Sequence, residues 1–199
     1  MRIYFDGCSW TKGEELVNPE QERFSKLICD ELGAEETNLS IKGGSNDRIV
    51  RNLLVENNIE DYDLAVIQMT FPVRTEFFNK HWVRVNPKNN FVKWLHGENG
   101  DIRRLGEKFK YHADFWKYWY TDVTNQKYFE TQEKIHYHTI RKSCKIPLVL
   151  VSINRWTKLP FDLQLNDGTR NMRHKRGHPD KHLHRLIADK IIGIAKGLL

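Results

Sequence analysis

Two residues at opposite ends of the chain have the chemistry of a nucleophile and its base. Ser9 follows the short run Ile3-Tyr4-Phe5 and the breaking pair Asp6-Gly7. That run is β-branched and aromatic, long enough for a central strand and too short for a helix. A serine on the turn leaving such a strand has its hydroxyl at the carboxyl end, where open α/β sheets place their sites, and can act as an oxygen nucleophile. His178 stands in Gly177-His178-Pro179, at the entry to the last apolar-periodic segment. A serine and a histidine beside backbone donors form the arrangement that acyl transfer requires. Residues so far apart in sequence meet only if the fold brings both to one edge.

The elements between them predict such a fold. Asn18-Pro19-Glu20-Gln21 carries a cap, a proline at the first helical position and a glutamine three residues after the cap. Phe24, Leu27, Ile28 and Leu32 follow at helical spacing, and Gly33 ends the segment, so a helix is expected over 19–32. A second strand is expected near Thr37–Ser40. Gly43-Gly44 marks a turn, after which Ser45 or Asn46 caps a helix bearing Ile49, Val50, Leu53 and Leu54. Asp63–Met69 reads as a third, buried strand. Strand–helix–strand–helix–strand is the pattern of a parallel sheet covered by helices. Ile146–Ser152 reads as a fourth strand, Asn154–Arg176 as a polar loop, and Pro179 opens a closing helix with Leu183, Leu186, Ile187, Ile191 and Ile194. The fold class expected is α/β, a doubly wound, mainly parallel sheet of four to five strands with flavodoxin-like order.

Residues 77–145 interrupt this rhythm. Phe77–Gly106 is aromatic and Asn/Gly-rich with poor periodicity, and is expected to be an irregular excursion. Residues 111–142 look mostly helical. The stretch reads as an insertion within one domain spanning 1–199, expected to form a cap or wall beside the Ser9 cleft.

Composition narrows the function classes. A hydrophobic fraction of 39% and a charged fraction of 29% suit a soluble globular protein, and no apolar run reaches the length of a membrane span. The first apolar run is too short for a secretory leader, so a cytoplasmic location is expected. Cys8, Cys29 and Cys144 suit free thiols and lack paired zinc spacing. The net charge of +6 is uneven: residues 1–76 hold 8 Lys/Arg against 15 Asp/Glu, whereas 77–145 hold 14 against 7 and 146–199 hold 10 against 4. A basic later half could attract an anionic partner such as nucleic acid. The histidines at 174, 178, 182 and 184 would share a helix face only without Gly177 and Pro179, so no metal is expected. Neither glycine motif has the form of a phosphate loop. No cofactor is implied.

In block order the chain resembles the SGNH/GDSL hydrolase superfamily, and looks most like its small tailed-phage-encoded members. The likeness covers residues 1–76 and roughly the last fifty. Gly7-Cys8-Ser9 matches the family's Gly-Asp-Ser after strand one, with cysteine for aspartate, and Asn38–Gly43 matches its glycine block. Gly177-His178-Pro179 and the helix after it match the last block. The resemblance implies Ser9 as nucleophile, His178 as base, and the Ser9 and Gly43 amides as oxyanion donors. Two departures stand out. Gln68–Glu76 lacks the family's asparagine, leaving Thr70 or Arg74 as substitute donors, and Lys175 occupies the place of the acid. Asp167, in the same loop, is the carboxylate expected to face the remote nitrogen of His178, with Lys175 turned away. Gly43, Gly44, Thr70 and Arg74 are thus the expected oxyanion- and substrate-binding positions. The resemblance implies an ester hydrolase, acting on an acyl ester and by family habit one on a carbohydrate. The alternative is an altered binding protein on the same fold that holds an anionic partner. Oligomeric state is not legible in the sequence.

Overall fold

A computed structural model describes residues 1–79, 81–85, 115, 118–154, 156–165 and 178–199. Five parallel strands form the central sheet: β1 (Arg2–Asp6), β2 (Glu35–Asn38), β3 (Leu64–Met69), β6 (Leu148–Ser152) and the short β7 (Leu163–Gln164). Their spatial order is β2-β1-β3-β6-β7. The order reverses between β1 and β3, and this is the doubly wound topology whose ligands bind beyond the carboxyl ends of the strands.

Alternation along each strand divides the core in two. Ile3, Phe5, Leu64, Val66, Val149 and Val151 face helices α3 (Phe24–Leu32) and α6 (Lys181–Ala195). Tyr4, Ala65, Ile67, Met69 and Leu150 face α4 (Asn46–Arg51) and α5 (Gln126–Ser143). With a period of two and both faces covered, the central strands are mainly apolar, and all six residues of β3 are buried, Gln68 included.

The structure differs from the sequence reading at four places. The helix expected over 19–32 breaks at Arg23, whose backbone is extended between α2 (Pro19–Glu22) and α3. Arg23 binds Glu20 at 2.6 Å and Glu36 at 2.8 Å, and the amide exposed at the new helix start, that of Phe24, donates to His184 Nδ1 at 3.1 Å. The excursion from Phe77 begins instead as an antiparallel hairpin, β4 (Thr75–Asn79) with β5 (His81–Val85). Helix α5 belongs to the fold proper: it bridges β3 to β6 and packs Tyr137 and Ile140 against the sheet. Lastly, the expected polar loop after β6 contains β7, paired with β6 through Val151 and Leu163. The expectations for 86–114 and 166–177, Lys175 and Asp167 among them, fall outside the described residues. Among those described, no helix is long and apolar enough to cross a membrane.

An ion pair ties α4 to α5, with Asp47 Oδ1 2.8 Å from His136 Nε2. Burial works to raise the Asp47 pKa, but hydrogen bonds from His136, Thr75 and the Glu76 amide outweigh it and hold the carboxyl below its ordinary value. A depressed carboxylate contributes stability that is present above the unfolded pKa of ~4 and lost as pH falls through the folded one. Asp47→Asn is therefore expected to lower stability at pH 7 by about 1–3 kcal/mol. The gap to wild type should narrow below about pH 4, as read from denaturant midpoints at both ends of that range.

Candidate active site

Position one of the site is set by a turn with no spare volume. A Cβ on Gly7 would lie 2.4 Å from Thr11 Oγ1, and one on Gly44 would lie 2.8 Å from the Gly7 carbonyl oxygen. The β1 turn and the glycine turn after β2 are thus in direct contact, with the Ile41 amide donating to the same carbonyl at 3.4 Å. Gly43 has φ +69°, where a side chain is strained. Both glycines of the pair are structurally required, for different reasons. Gly44→Ala must push apart two backbone segments and is expected to cost about 1–3 kcal/mol, measured as a shift in urea midpoint.

Beneath the turn lies a buried polar frame. Asp6 is wholly buried and accepts from Arg48 Nη1 at 2.7 Å, Asn52 Nδ2 at 2.8 Å, the Gly7 amide at 2.7 Å and the Tyr4 hydroxyl at 3.3 Å. Gln68 Oε1 accepts from Thr11 Oγ1 at 3.0 Å and from the Cys8 amide at 3.4 Å. The Gly7 and Cys8 amides and the Thr11 hydroxyl are thereby oriented before any ligand arrives.

On this frame Ser9 begins a one-turn helix, α1 (Ser9–Lys12), at the end of β1. His178 arrives from the other end of the chain, just ahead of α6, which is capped by the Asp180 carboxylate accepting from the Leu183 amide at 2.8 Å. Ser9 Oγ and His178 Nε2 are 3.0 Å apart. On the far side of the ring, Nδ1 is 3.2 Å from Glu15 Oε2, a close ion-pair contact rather than an aligned hydrogen bond. The neighbouring Glu14 turns away to Lys42. That hydrogen bond is the main cause of a Glu14 pKa below its ordinary value, with His178 and Lys12 adding to it.

The loop after β3 completes the edge. Thr70 is buried, and its backbone is locked by the Asn46 side chain, which accepts from the Thr70 amide at 2.8 Å and donates to its carbonyl at 3.1 Å. Arg74 Nη1 donates to Thr70 Oγ1 at 2.5 Å, and the guanidinium lies 5.1 Å from the Phe71 ring centre. It also reaches Cys8, whose thiol would be pushed up by burial but is brought below its ordinary pKa by Arg74, the Trp10 backbone and Gln68. Cys8 Sγ is in turn 3.9 Å from Ser9 Oγ. Among the described residues Arg74 forms no ion pair.

Solved structures with this architecture include esterases. The crystal structure of the psychrotrophic esterase EstA from Pseudoalteromonas matches with a TM-score of 0.52 and 12% identity over 98% of this chain and 97% of that one. TesA matches with a TM-score of 0.51 and 14% identity over the whole of both chains. The chain shares the fold of these structures. A family two carbohydrate esterase from Clostridium thermocellum, solved with cellohexaose, gives 0.51 and 12% over 98% of this chain but 63% of its own length. At such identities the likeness is one of fold. No protein-family model matches the chain, and no curated protein is significantly similar to it in sequence.

Within this fold the structure brings together Ser9, His178, Thr70, Arg74 and the Gly43-Gly44 turn at the carboxyl edge of one sheet. Asp167, which the sequence reading put behind His178, lies outside the described residues; among those described, Glu15 stands there. Its signal was faint, an acidic pair Glu14-Glu15 just past Gly13, six residues beyond the serine. Asn46 was also passed over except as a cap; its side chain serves Thr70, while Ser45 is the cap, accepting from the Arg48 amide at 3.2 Å.

Proposed function

We propose that the protein is a serine ester hydrolase of the SGNH type. The observation that carries this reading is the 3.0 Å contact between Ser9 Oγ and His178 Nε2 at the carboxyl edge of a doubly wound sheet. With Nδ1 protonated, the bare Nε2 accepts the Ser9 proton as Oγ attacks the ester carbonyl. The tetrahedral intermediate collapses, His178 returns that proton to the leaving alcohol, and an acyl-serine remains. Water, deprotonated by the same nitrogen, releases the acid and restores Ser9.

The oxyanion needs donors fixed in advance. The Ser9 and Gly43 amides donate to no acceptor among the described residues, which leaves them available. Gly44 holds that turn against Gly7 and Thr70 holds Arg74. In this reading the Arg74 guanidinium is the side-chain donor that stands in for the missing asparagine. The fold neighbours include carbohydrate esterases, and an acyl group on a carbohydrate is the substrate class we favour for this chain. The part of 77–145 ahead of α5 is the segment we assign to substrate choice.

Acid release from p-nitrophenyl acetate and from acetylated oligosaccharides tests the reading. Turnover that disappears in His178→Ala is the expected result. A wild-type protein that cleaves none of these esters yet binds single-stranded nucleic acid with steep salt dependence would favour the binding-protein alternative.

A further inference from the structure

We propose that Glu15 is the positioning carboxylate of His178, so that nucleophile and acid both come from the seven residues Ser9–Glu15 while the histidine alone comes from the far end of the chain. This rests on the ester-hydrolase reading above and assigns a role that the loop carrying Asp167 and Lys175 was expected to fill.

Three observations converge on Glu15. Its Oε2 is 3.2 Å from His178 Nδ1, and the two side chains are only 17% and 19% exposed. Its backbone has φ +75°, and among the described residues it is the one non-glycine residue with positive φ. A left-handed conformation costs a residue with a side chain of order 1–3 kcal/mol, and such strain persists where the surroundings over-determine it. Gly13, two residues earlier at φ +77°, shows that the chain uses glycine where only the turn is at stake. At Glu15 the strain is kept together with a carboxylate.

The turn that aims Glu15 is itself anchored. The Glu14 amide donates to the Ser9 carbonyl at 2.9 Å, the Leu16 amide donates to the Gly13 carbonyl at 3.2 Å, and Leu16 is buried. Of the two adjacent acids, Glu14 is taken by Lys42 and Glu15 is left on the ring. A carboxylate at Nδ1 fixes the tautomer with a bare Nε2 toward Ser9 and stabilises the imidazolium that forms during proton transfer. Among the described reacting groups Glu15 meets His178, so its effect passes through that ring.

The test uses the full chain and kcat and KM on p-nitrophenyl acetate. Glu15→Gln is expected to lower kcat by about 10²- to 10⁴-fold with little change in KM. Glu15→Asp should recover at least roughly tenfold over Glu15→Gln. Glu15→Gly should lose activity equally while matching or exceeding wild type in thermal midpoint, since it releases the left-handed strain. A Glu15→Gln enzyme within about threefold of wild type in kcat overturns the proposal. So does a large loss in Asp167→Asn without one in Glu15→Gln. If wild type cleaves no ester, the hydrolase reading fails on its own. The Nδ1 proton resonance of His178 by NMR then decides the contact: its loss or shift in Glu15→Gln supports it and an unmoved resonance refutes it.

Discussion

Ser9→Ala is expected to fold as the wild type does and to lose ester turnover by roughly 10⁴- to 10⁶-fold, the scale on which serine hydrolases depend on their nucleophile. The substitution removes one oxygen that is almost fully buried and held at 3.0 Å from His178 Nε2. Its other close polar neighbour is Cys8 Sγ at 3.9 Å, too long a contact to contribute much to stability. The surrounding frame of Asp6, Gln68 and Arg48 does not depend on that hydroxyl. Turnover should therefore vanish with a denaturant midpoint within experimental scatter of wild type. A fall in both together would mean that Ser9 is a structural residue.

Asp6→Ala is expected to do the opposite, removing structure and activity at once. The Asp6 side chain has no exposed surface, and the Arg48 side chain bound to it is 11% exposed. Deleting the carboxylate leaves a guanidinium nearly buried without its counter-charge, and breaking a buried pair in this way costs about 3–5 kcal/mol. Asn52, the Gly7 amide and the Tyr4 hydroxyl lose an acceptor at the same stroke. Because Asp6 and Gly7 lead directly into Ser9, partial unfolding should begin where the nucleophile is held. Chemical denaturation and hydrogen exchange at Gly7 and Cys8 would register this loss. A midpoint close to wild type would show that Arg48 finds another partner.

The sheet was legible because its evidence is periodic and repeated. Ile3-Tyr4-Phe5, Leu64–Met69 and Leu148–Ser152 are apolar over lengths that fit only strands, and the segments between them carry helical spacing. Ser9 and His178 were legible because each sits at a strand-to-helix or loop-to-helix boundary, and such boundaries converge on one edge in a parallel sheet. What escaped depended on single backbone torsions or on tertiary partners. Arg23 looks like any helical residue, yet its pairs with Glu20 and Glu36 and the offer of His184 to the Phe24 amide favour a break. The hairpin of β4 and β5 was hidden by asparagines and aromatics that fit a loop equally well. Glu15 escaped for the same kind of reason. Nothing in Gly13-Glu14-Glu15-Leu16 announces that the second glutamate takes a left-handed turn back toward a histidine more than 160 residues away. Asn46 likewise reads as one more residue at a helix start until Thr70 is found against it.

The central claim is that Ser9 is a nucleophile activated by His178, and covalent capture tests it most directly. The wild-type protein is treated with a fluorophosphonate probe and the adduct is mapped by peptide mass spectrometry. The account predicts one phosphonyl group per chain, on Ser9, with labelling abolished in Ser9→Ala and slowed by orders of magnitude in His178→Ala. Absence of any adduct on a folded wild-type protein, or labelling of His178→Ala at the wild-type rate, would contradict it.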